Sequence, residues 1–239
     1  MADNALEQPS SGGIAGDIAG VIDFLMDAPG AARRLPRKFF WITPVVLVSV
    51  VMIVCGILNF PLVQQAMANQ APPSNVSPEQ FQKQMSIGLT IQRVVIYLAP
   101  VLMIVFTAIF ALIVMACSVV IDVKPKFLAM FNFLAGLAII DALKVVATSF
   151  IIHMKGEPSG MADLQPPLGL DIFMPTGSNK VLVAFLGYLN VFQIWEIVMA
   201  ILIFAAAYRV SKSKAAVAVV PLFALGLILR LVGAMFQRG

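Results

Sequence analysis

The chain alternates between long apolar stretches and short polar connections, and this pattern predicts a bundle of membrane-spanning helices. Five windows are apolar over the roughly 20 residues that a helix needs to cross the hydrocarbon core. They are Phe39–Phe60, Val94–Ile121, Phe127–Ile152, Leu182–Ala207 and Ala215–Phe236. In the fourth window, Val181–Leu189 is interrupted by Gly187 and followed by Asn190, so we expect this stretch to lie partly outside the hydrocarbon. The predicted fold class is an all-α polytopic bundle of five transmembrane helices.

A further apolar repeat precedes the first window and predicts an amphipathic interfacial helix. Its apolar positions are Ile14, Ile18, Val21, Ile22 and Leu25, and its more polar side carries Asp17, Asp23 and Asp27. We expect this helix to end at Pro29-Gly30 and to lie at the cytoplasmic interface, under the bundle or on a partner. The acidic side argues against simple attraction to anionic lipid.

The same pattern divides the chain into four parts. Residues 1–13 are predicted to be a disordered polar N-terminus, and residues 14–38 a cytoplasmic amphipathic helix with a basic linker. Residues 39–236 form the five-span domain, and residues 237–239 a short outer tail. Composition agrees, because 60% of the residues are apolar and only 12% are charged. Soluble domains carry about a quarter charged residues, so the chain is predicted to be an integral membrane protein.

The basic residues set the predicted orientation, since short cytoplasmic loops are enriched in Lys and Arg. They form three clusters, one before the first span, one between the second and third spans, and one between the fourth and fifth. The members are Arg33, Arg34, Arg37, Lys38, Lys124, Lys126, Arg209, Lys212 and Lys214. They are predicted to form a cytoplasmic basic surface, with the N-terminus inside and the C-terminus outside. This asymmetry accounts for the net charge of +4 without a nucleic-acid partner.

Four ionisable residues lie within the spans at similar predicted depth: Asp141, Lys144, Glu196 and Arg230. Such residues usually pair, face the bundle interior or mark a pathway, because a charge at the centre of a span costs roughly 2.5–3.5 kcal/mol. Asp141 and Lys144 share a helix face, and Glu196 and Arg230 can pair across consecutive spans. Two acids and two bases sum to zero, which favours a structural lock over an ion or proton relay.

Other chemistry is sparse. The single His153 has no Cys, Asp or Glu cluster at ligand spacing, and a search for phosphate-binding loops and catalytic motifs finds none, so we predict a protein without metal, cofactor or enzymatic activity. Cys55 and Cys117 fall at different predicted depths, which argues against a disulfide. Pro100 lies one to two turns inside the outer end of its span, which makes it a candidate position for a kink in the helix.

Two segments carry a resemblance to a known family. The proline-containing lead-in from Asp27 to Pro44, with Trp41 at the mouth of the first span, resembles the opening of Yip-domain proteins. The Asn-x-Phe-x-x-Trp run from Asn190 to Trp195 is similar to the same family. The resemblance implies a five-span bundle with a cytoplasmic N-terminus and no catalytic residues. The Asp-Leu-Tyr-Gly-Pro signature of the eukaryotic, Rab-interacting members is absent, which favours a bacterial member in the cytoplasmic (inner) membrane.

The sequence therefore favours a non-enzymatic protein that acts as an interaction, scaffold or accessory component of a membrane transport or trafficking process. Its expected partners are the lipid bilayer and another membrane protein, for example part of an export system, and self-association is compatible with this interpretation. The alternative is a small transporter or channel subunit in which Asp141, Lys144, Glu196 and Arg230 line a polar path. A third hypothesis is a lipid-organising protein that uses the N-terminal helix.

Overall fold

The computed structural model describes residues 14–70, 76–164, 168–175 and 178–236, and these residues form eight α-helices. The helices are α1 (Ile14–Met26), α2 (Ala28–Arg34), α3 (Ile42–Ala68), α4 (Pro78–Ser118), α5 (Phe127–Lys155), α6 (Lys180–Tyr188), α7 (Val191–Tyr208) and α8 (Lys212–Phe236). Five of them, α3, α4, α5, α7 and α8, are long and apolar enough to cross a membrane. The predicted all-α, five-span class is confirmed. The expected disordered N-terminus (1–13) and outer tail (237–239) lie outside the described residues.

The first two spans are longer than the apolar windows suggested. Helix α3 does not stop at Phe60 but continues through Pro61 to Ala68. Val63 and Ala66 are buried in this extension, so packing against the rest of the protein maintains a helix where the sequence turns polar. Helix α4 likewise starts at Pro78, where the Ser77 hydroxyl accepts from the Gln80 N–H at 3.3 Å, and runs without a break through Pro100.

The fourth predicted span is split. Helix α6 ends at Tyr188, and α7 starts at Val191 after Leu189 and Asn190. The Asn190 carboxamide oxygen accepts from the Gln193 N–H at 2.9 Å, and its amide group donates to the Gly187 and Tyr188 carbonyls at 3.2 Å each. One side chain thus satisfies backbone groups at the end of one helix and the start of the next.

The N-terminal segment is also divided into two helices. The expected end at Pro29-Gly30 is wrong, because α1 ends at Met26 and Pro29 lies in the first turn of α2. Proline suits a first helical turn, since the N–H that it lacks has no intrahelical partner there. The backbone changes direction at Asp27, which is not helical.

Phe24 joins α1 to the bundle. Its side chain is fully buried, and its ring stacks on that of Phe40 with centroids 5.5 Å apart. Gly136 of α5 faces the same ring so closely that a Cβ there would overlap it. The Trp195 indole N–H of α7 donates to the Leu25 carbonyl at 3.1 Å. The helix at 14–26 therefore packs against α5 and α7, and its location at a membrane interface stays a prediction.

Asn132 joins the basic linker to the start of α5. Its side chain is 0% exposed and makes three hydrogen bonds. The Trp41 N–H donates to its oxygen at 3.0 Å, and its amide group donates to the Leu35 and Arg37 carbonyls at 2.8 and 2.7 Å. These bonds place the linker at the end of the bundle where α3 and α5 begin, which we call the basic end.

The hydrophobic core lies toward the basic end. Its fully buried large side chains include Phe133, Leu137 and Ile140 of α5, and Ile203 and Phe204 of α7. The buried residues of α4 all lie between Thr107 and its last residue, Ser118. Helix α4 therefore packs into the core only over its final turns.

Candidate functional site

The ionisable residues of α8 and α7 point toward the core side of their helices. Arg230 follows the buried Val219 and Phe223 by eleven and seven residues, and these spacings lie on one helix face. Glu196 precedes the buried Ala200 and Ile203 by four and seven residues, so it also faces inward. Arg230 is nevertheless exposed, and Glu196 is only partly buried.

Asp141 of α5 also lies on the inward face of its helix and is nevertheless exposed. It follows the buried Leu137 by four residues and precedes the buried Ile152 by eleven, which places it on the inward face. The exposed apolar residues Val146 and Phe150 lie on the opposite face of α5. Asp141 is itself exposed. We therefore infer that its exposure arises from an opening between the helices and not from the outer, lipid-facing surface of the bundle.

Uneven packing of the helices explains this opening. In α8, four of the buried residues, Ala215, Ala218, Val219 and Phe223, belong to the half nearest the basic end, and Ala234 is buried near the other end. Between them, Gly226 and Gly233 lie on or near the inward face and are exposed. We infer that the bundle is closed at the basic end and has an opening beyond the core, around Gly226 and Arg230. We call this opening the polar cleft; it is bordered by Asp141, Lys144, Tyr188, Glu196, Gly226 and Arg230.

Tyr188, at the end of α6, lies among these charges. Its hydroxyl donates to the Phe223 carbonyl of α8 at 2.6 Å. It is close enough to Glu196, Asp141 and Arg230 to interact electrostatically with all three. Glu196 interacts in the same way with Asp141 and Lys144. The structure therefore brings together the four intramembrane ionisable residues that the sequence singled out.

The two expected ion pairs do not form. Asp141 and Lys144 interact electrostatically, but among the described residues no ion pair within 4.0 Å involves either of them. Glu196 instead accepts from the Gln193 side-chain amide at 3.0 Å. Arg230 extends toward Gly187, where a Cβ would lie 2.8 Å from its Nη2 atom. The side chains are directed to other partners, and these keep Glu196 and Arg230 apart.

Asp171 is a fifth charged residue at this site, and sequence reasoning missed it. It belongs to the short 3-10 turn Leu170–Phe173 in the connection between α5 and α6. Its Oδ2 atom would lie 2.9 Å from a Cβ on Gly187, beside Arg230. Gly169 and Asn190 form an isolated antiparallel bridge that holds this turn against α6 and α7. Nothing in the local sequence reveals that Asp171 lies beside Arg230, because these two residues are far apart in the chain. With Asp171 the neutral sum no longer holds, since carboxylates outnumber basic groups.

The predicted basic surface is partly neutralised by α1. Arg34 pairs with Asp23 at 3.1 Å, Arg37 with Asp17 at 3.4 Å, and Arg33 with Asp27 at 3.8 Å. The Lys38 ammonium lies 5.2 Å from the centre of the Phe39 ring. The other members are exposed: Lys124, Lys126, Arg209, Lys212 and Lys214. The acidic side of α1 is therefore directed to the end of α2 and to the linker.

An opening of about 360 Å³ lies where α5 ends, beside the loop that contains Pro158. The Asn69 side chain donates to the Pro158 carbonyl at 2.9 Å and fixes the loop to the end of α3. Hydrogen bonds from the Ser159 hydroxyl and N–H hold the pKa of Asp163 below its usual value. These bonds are internal to the loop and account for its shape.

Neither cysteine is in a disulfide, and Cys55 is buried. Within the described ranges, no three His, Cys, Asp or Glu side chains are grouped to hold a metal ion. Comparisons with protein-family models, with characterised proteins and with solved structures give no match for this chain.

Proposed function

We propose that this protein is a small transporter or transporter subunit that takes up a small polar or charged solute in the polar cleft. The supporting observation is that Asp141 and Arg230 face the interior of the bundle and are exposed there. Of the two main hypotheses from the sequence, transport is the one that requires charged residues to face an opening. A structural lock requires them to be buried against one another.

The free-energy cost of an ionisable residue in the membrane also favours transport over a structural lock. An ionisable residue facing hydrocarbon costs roughly 2.5–3.5 kcal/mol on insertion scales, and pairing is the usual compensation. Here the expected pairs are absent, and hydration of the cleft is one way to stabilise the charges. Polar backbone near the break between α6 and α7 is compatible with this arrangement, because non-helical backbone at membrane depth is tolerated where it lines a water-filled cavity.

Cysteine accessibility tests whether the cleft contains water. In a background with Cys55→Ala and Cys117→Ala, one variant carries Gly226→Cys, which faces the cleft. The matched control carries Ile228→Cys, which is exposed on the opposite side of α8. We expect a charged, membrane-impermeant thiol reagent to label Cys at 226 in vesicles and to leave Cys at 228 unlabelled. Equal labelling of both positions, or labelling at 228 alone, would contradict a hydrated cleft.

Solute movement is tested in proteoliposomes with two defined probes, protons and sodium ions. Protons come first because carboxylates at membrane depth are typical of proton relays. Dye-loaded vesicles with an imposed potassium diffusion potential report proton entry. We expect the wild-type protein to conduct either protons or sodium ions. If it conducts protons, we expect Glu196→Gln to abolish this conduction, because an amide has no acidic proton to transfer. Wild-type vesicles as tight as empty ones to both probes, with no labelling at 226, would contradict the proposal.

The second candidate is the accessory role in a membrane transport or trafficking process. It is favoured by the exposed basic residues in the α4–α5 and α7–α8 connections, and it is the role that the resemblance to Yip-domain proteins implies. Affinity purification of the tagged protein from native membranes, with mass spectrometry of co-purifying proteins, tests it. A stoichiometric partner that is lost when Lys124 and Lys126 are replaced by Gln supports this role. In both cases we propose a bacterial cytoplasmic membrane with the basic end inside.

A further inference from the structure

A separate apolar crevice lies in the hairpin formed by α3 and α4. The two helices touch closely at Gly56, where a Cβ would lie 2.9 Å from the Ile96 Cγ1 atom. Between this contact and the connection from α3 to α4 lies a crevice of about 130 Å³. Its walls are Ile57, Phe60, Pro61, Arg93, Ile96 and Tyr97. The crevice is therefore mainly apolar, with one cationic side chain.

Arg93 is held at the crevice by an aromatic ring and by no acidic group. Its guanidinium carbon lies 5.0 Å from the centre of the Phe60 ring. Among the described residues it makes no ion pair within 4.0 Å, and its side chain is exposed. Stacking on Phe60 orients the guanidinium plane while its N–H donors stay available. An oriented, unpaired arginine is suited to a bidentate oxyanion.

The depth of the crevice identifies the source of that oxyanion. Phe60 lies about 27 Å along α3 from its first residue at a rise of roughly 1.5 Å per residue. A hydrocarbon core is about 30 Å thick, so Phe60 and Arg93 lie near its boundary away from the basic end. Tyr97, exposed one turn further in, has the position that interfacial tyrosines favour. Lipid phosphates occupy this level of a bilayer.

We propose that the crevice binds an anionic phospholipid, with its phosphate on Arg93 and the start of an acyl chain between α3 and α4. The lipid belongs to the leaflet at the end of the bundle opposite the basic end. Ile57 and Ile96 contact the chain, and Phe60 positions the guanidinium. This site is distinct from the polar cleft, which is bordered by α5, α6, α7 and α8.

Lipid retention by the full-length protein tests the site. The protein is released from nanodiscs that contain equal amounts of phosphatidylglycerol and phosphatidylcholine, and native mass spectrometry measures the lipids that remain bound. We expect wild-type protein to retain one phosphatidylglycerol in preference to phosphatidylcholine. Equal retention of the two lipids by wild-type protein would overturn the proposal without any variant.

Two variants and a control localise the interaction. Arg93→Gln removes the charge, and we expect roughly tenfold weaker retention, as for a loss of about 1.4 kcal/mol. Arg93→Lys retains the charge but loses the planar fork, and an intermediate effect is expected. Lys83→Gln removes an exposed charge on the same helix outside the crevice and serves as the control. Retention that falls equally in Arg93→Gln and Lys83→Gln, or in neither, contradicts a site at Arg93.

Glycerol phosphate in excess leaves retention unchanged if the acyl chain contributes, whereas full displacement by it would show a phosphate-only site.

Discussion

Single buried polar residues determine much of this structure, and Asn132 is the clearest example. It is one asparagine within an apolar helix, yet it hydrogen-bonds three backbone groups of the linker before α3. Buried backbone groups are costly to leave unpaired, so such a residue fixes the position of a whole segment. The same holds for Asn190, which satisfies backbone groups on both sides of the break between α6 and α7.

We expect Asn132→Ala to lower the free energy of unfolding by about 2–4 kcal/mol, because three backbone groups lose their partner where water is excluded. Thermal unfolding in detergent measures the effect. The control is Asn69→Ala, which removes one hydrogen bond at an exposed residue and is expected to cost less than about 1 kcal/mol. An Asn132→Ala protein as stable as the control would show that the linker finds other partners.

Glu196→Gln separates a structural lock from an open cleft at the level of one residue. The Gln193 amide can donate to a glutamine oxygen as it does to the carboxylate, and no ion pair is lost. We therefore expect the free energy of unfolding to change by less than about 1 kcal/mol. A lock built on a Glu196–Arg230 pair would instead make Glu196→Gln cost about 3–5 kcal/mol, with recovery when Arg230 is also replaced by an apolar residue. Denaturation of both variants in the same detergent distinguishes these outcomes.

At the scale of elements, buried apolar side chains and the hydrogen bond from Trp195 to the Leu25 carbonyl hold α1 and α2 to the bundle, whereas a set of ion pairs joins α1 to α2 and the linker. The ion pairs are partly or largely exposed, and exposed pairs contribute about 0–1 kcal/mol each. Phe24 is fully buried between Phe40 and Gly136 and is the largest buried side chain of α1 and α2. The N-terminal helices therefore depend on hydrophobic packing, and salt is expected to affect them only weakly.

Phe24→Ala is expected to release this element. Removing a buried phenylalanine costs about 3–5 kcal/mol, enough to detach a pair of short helices while the spans stay folded. Hydrogen exchange of the segment from α1 to the linker is expected to rise sharply. Ile22→Ala, two residues away in the same helix but exposed, is the matched control and should leave exchange unchanged. Increased exchange in both variants would mean that α1 is held by its outer face instead.

At the scale of the whole molecule, alternation of the spans places the basic connections at one end, and Asn69, Ser77 and the described residues 156–164 and 168–175 at the other. We predict that the basic end is cytoplasmic. With Cys55→Ala and Cys117→Ala as background, Glu157→Cys should react with an impermeant thiol reagent in right-side-out vesicles. Lys212→Cys should react only after the membrane is permeabilised. The reverse pattern would invert the predicted orientation.

The sequence by itself determined the number and nature of the spans, because membrane crossing depends on length and apolarity along the chain. It also identified the four ionisable residues within the spans, since a charge in an apolar helix is conspicuous without any structure. The positions of the helix ends were predicted less accurately. The end of α3 and the break after α6 depend on packing and side-chain capping, which apolar windows do not register.

Only the tertiary structure decided how those residues meet. Helix register and uneven packing direct Asp141, Glu196 and Arg230 into one opening, and the loop turn brings Asp171 beside Arg230. The pairing of the acidic side of α1 with the basic linker is equally a matter of tertiary contact. The physical reason is common to these cases. Spacing along a helix is encoded locally, whereas distances between helices depend on side-chain packing among residues far apart in the chain.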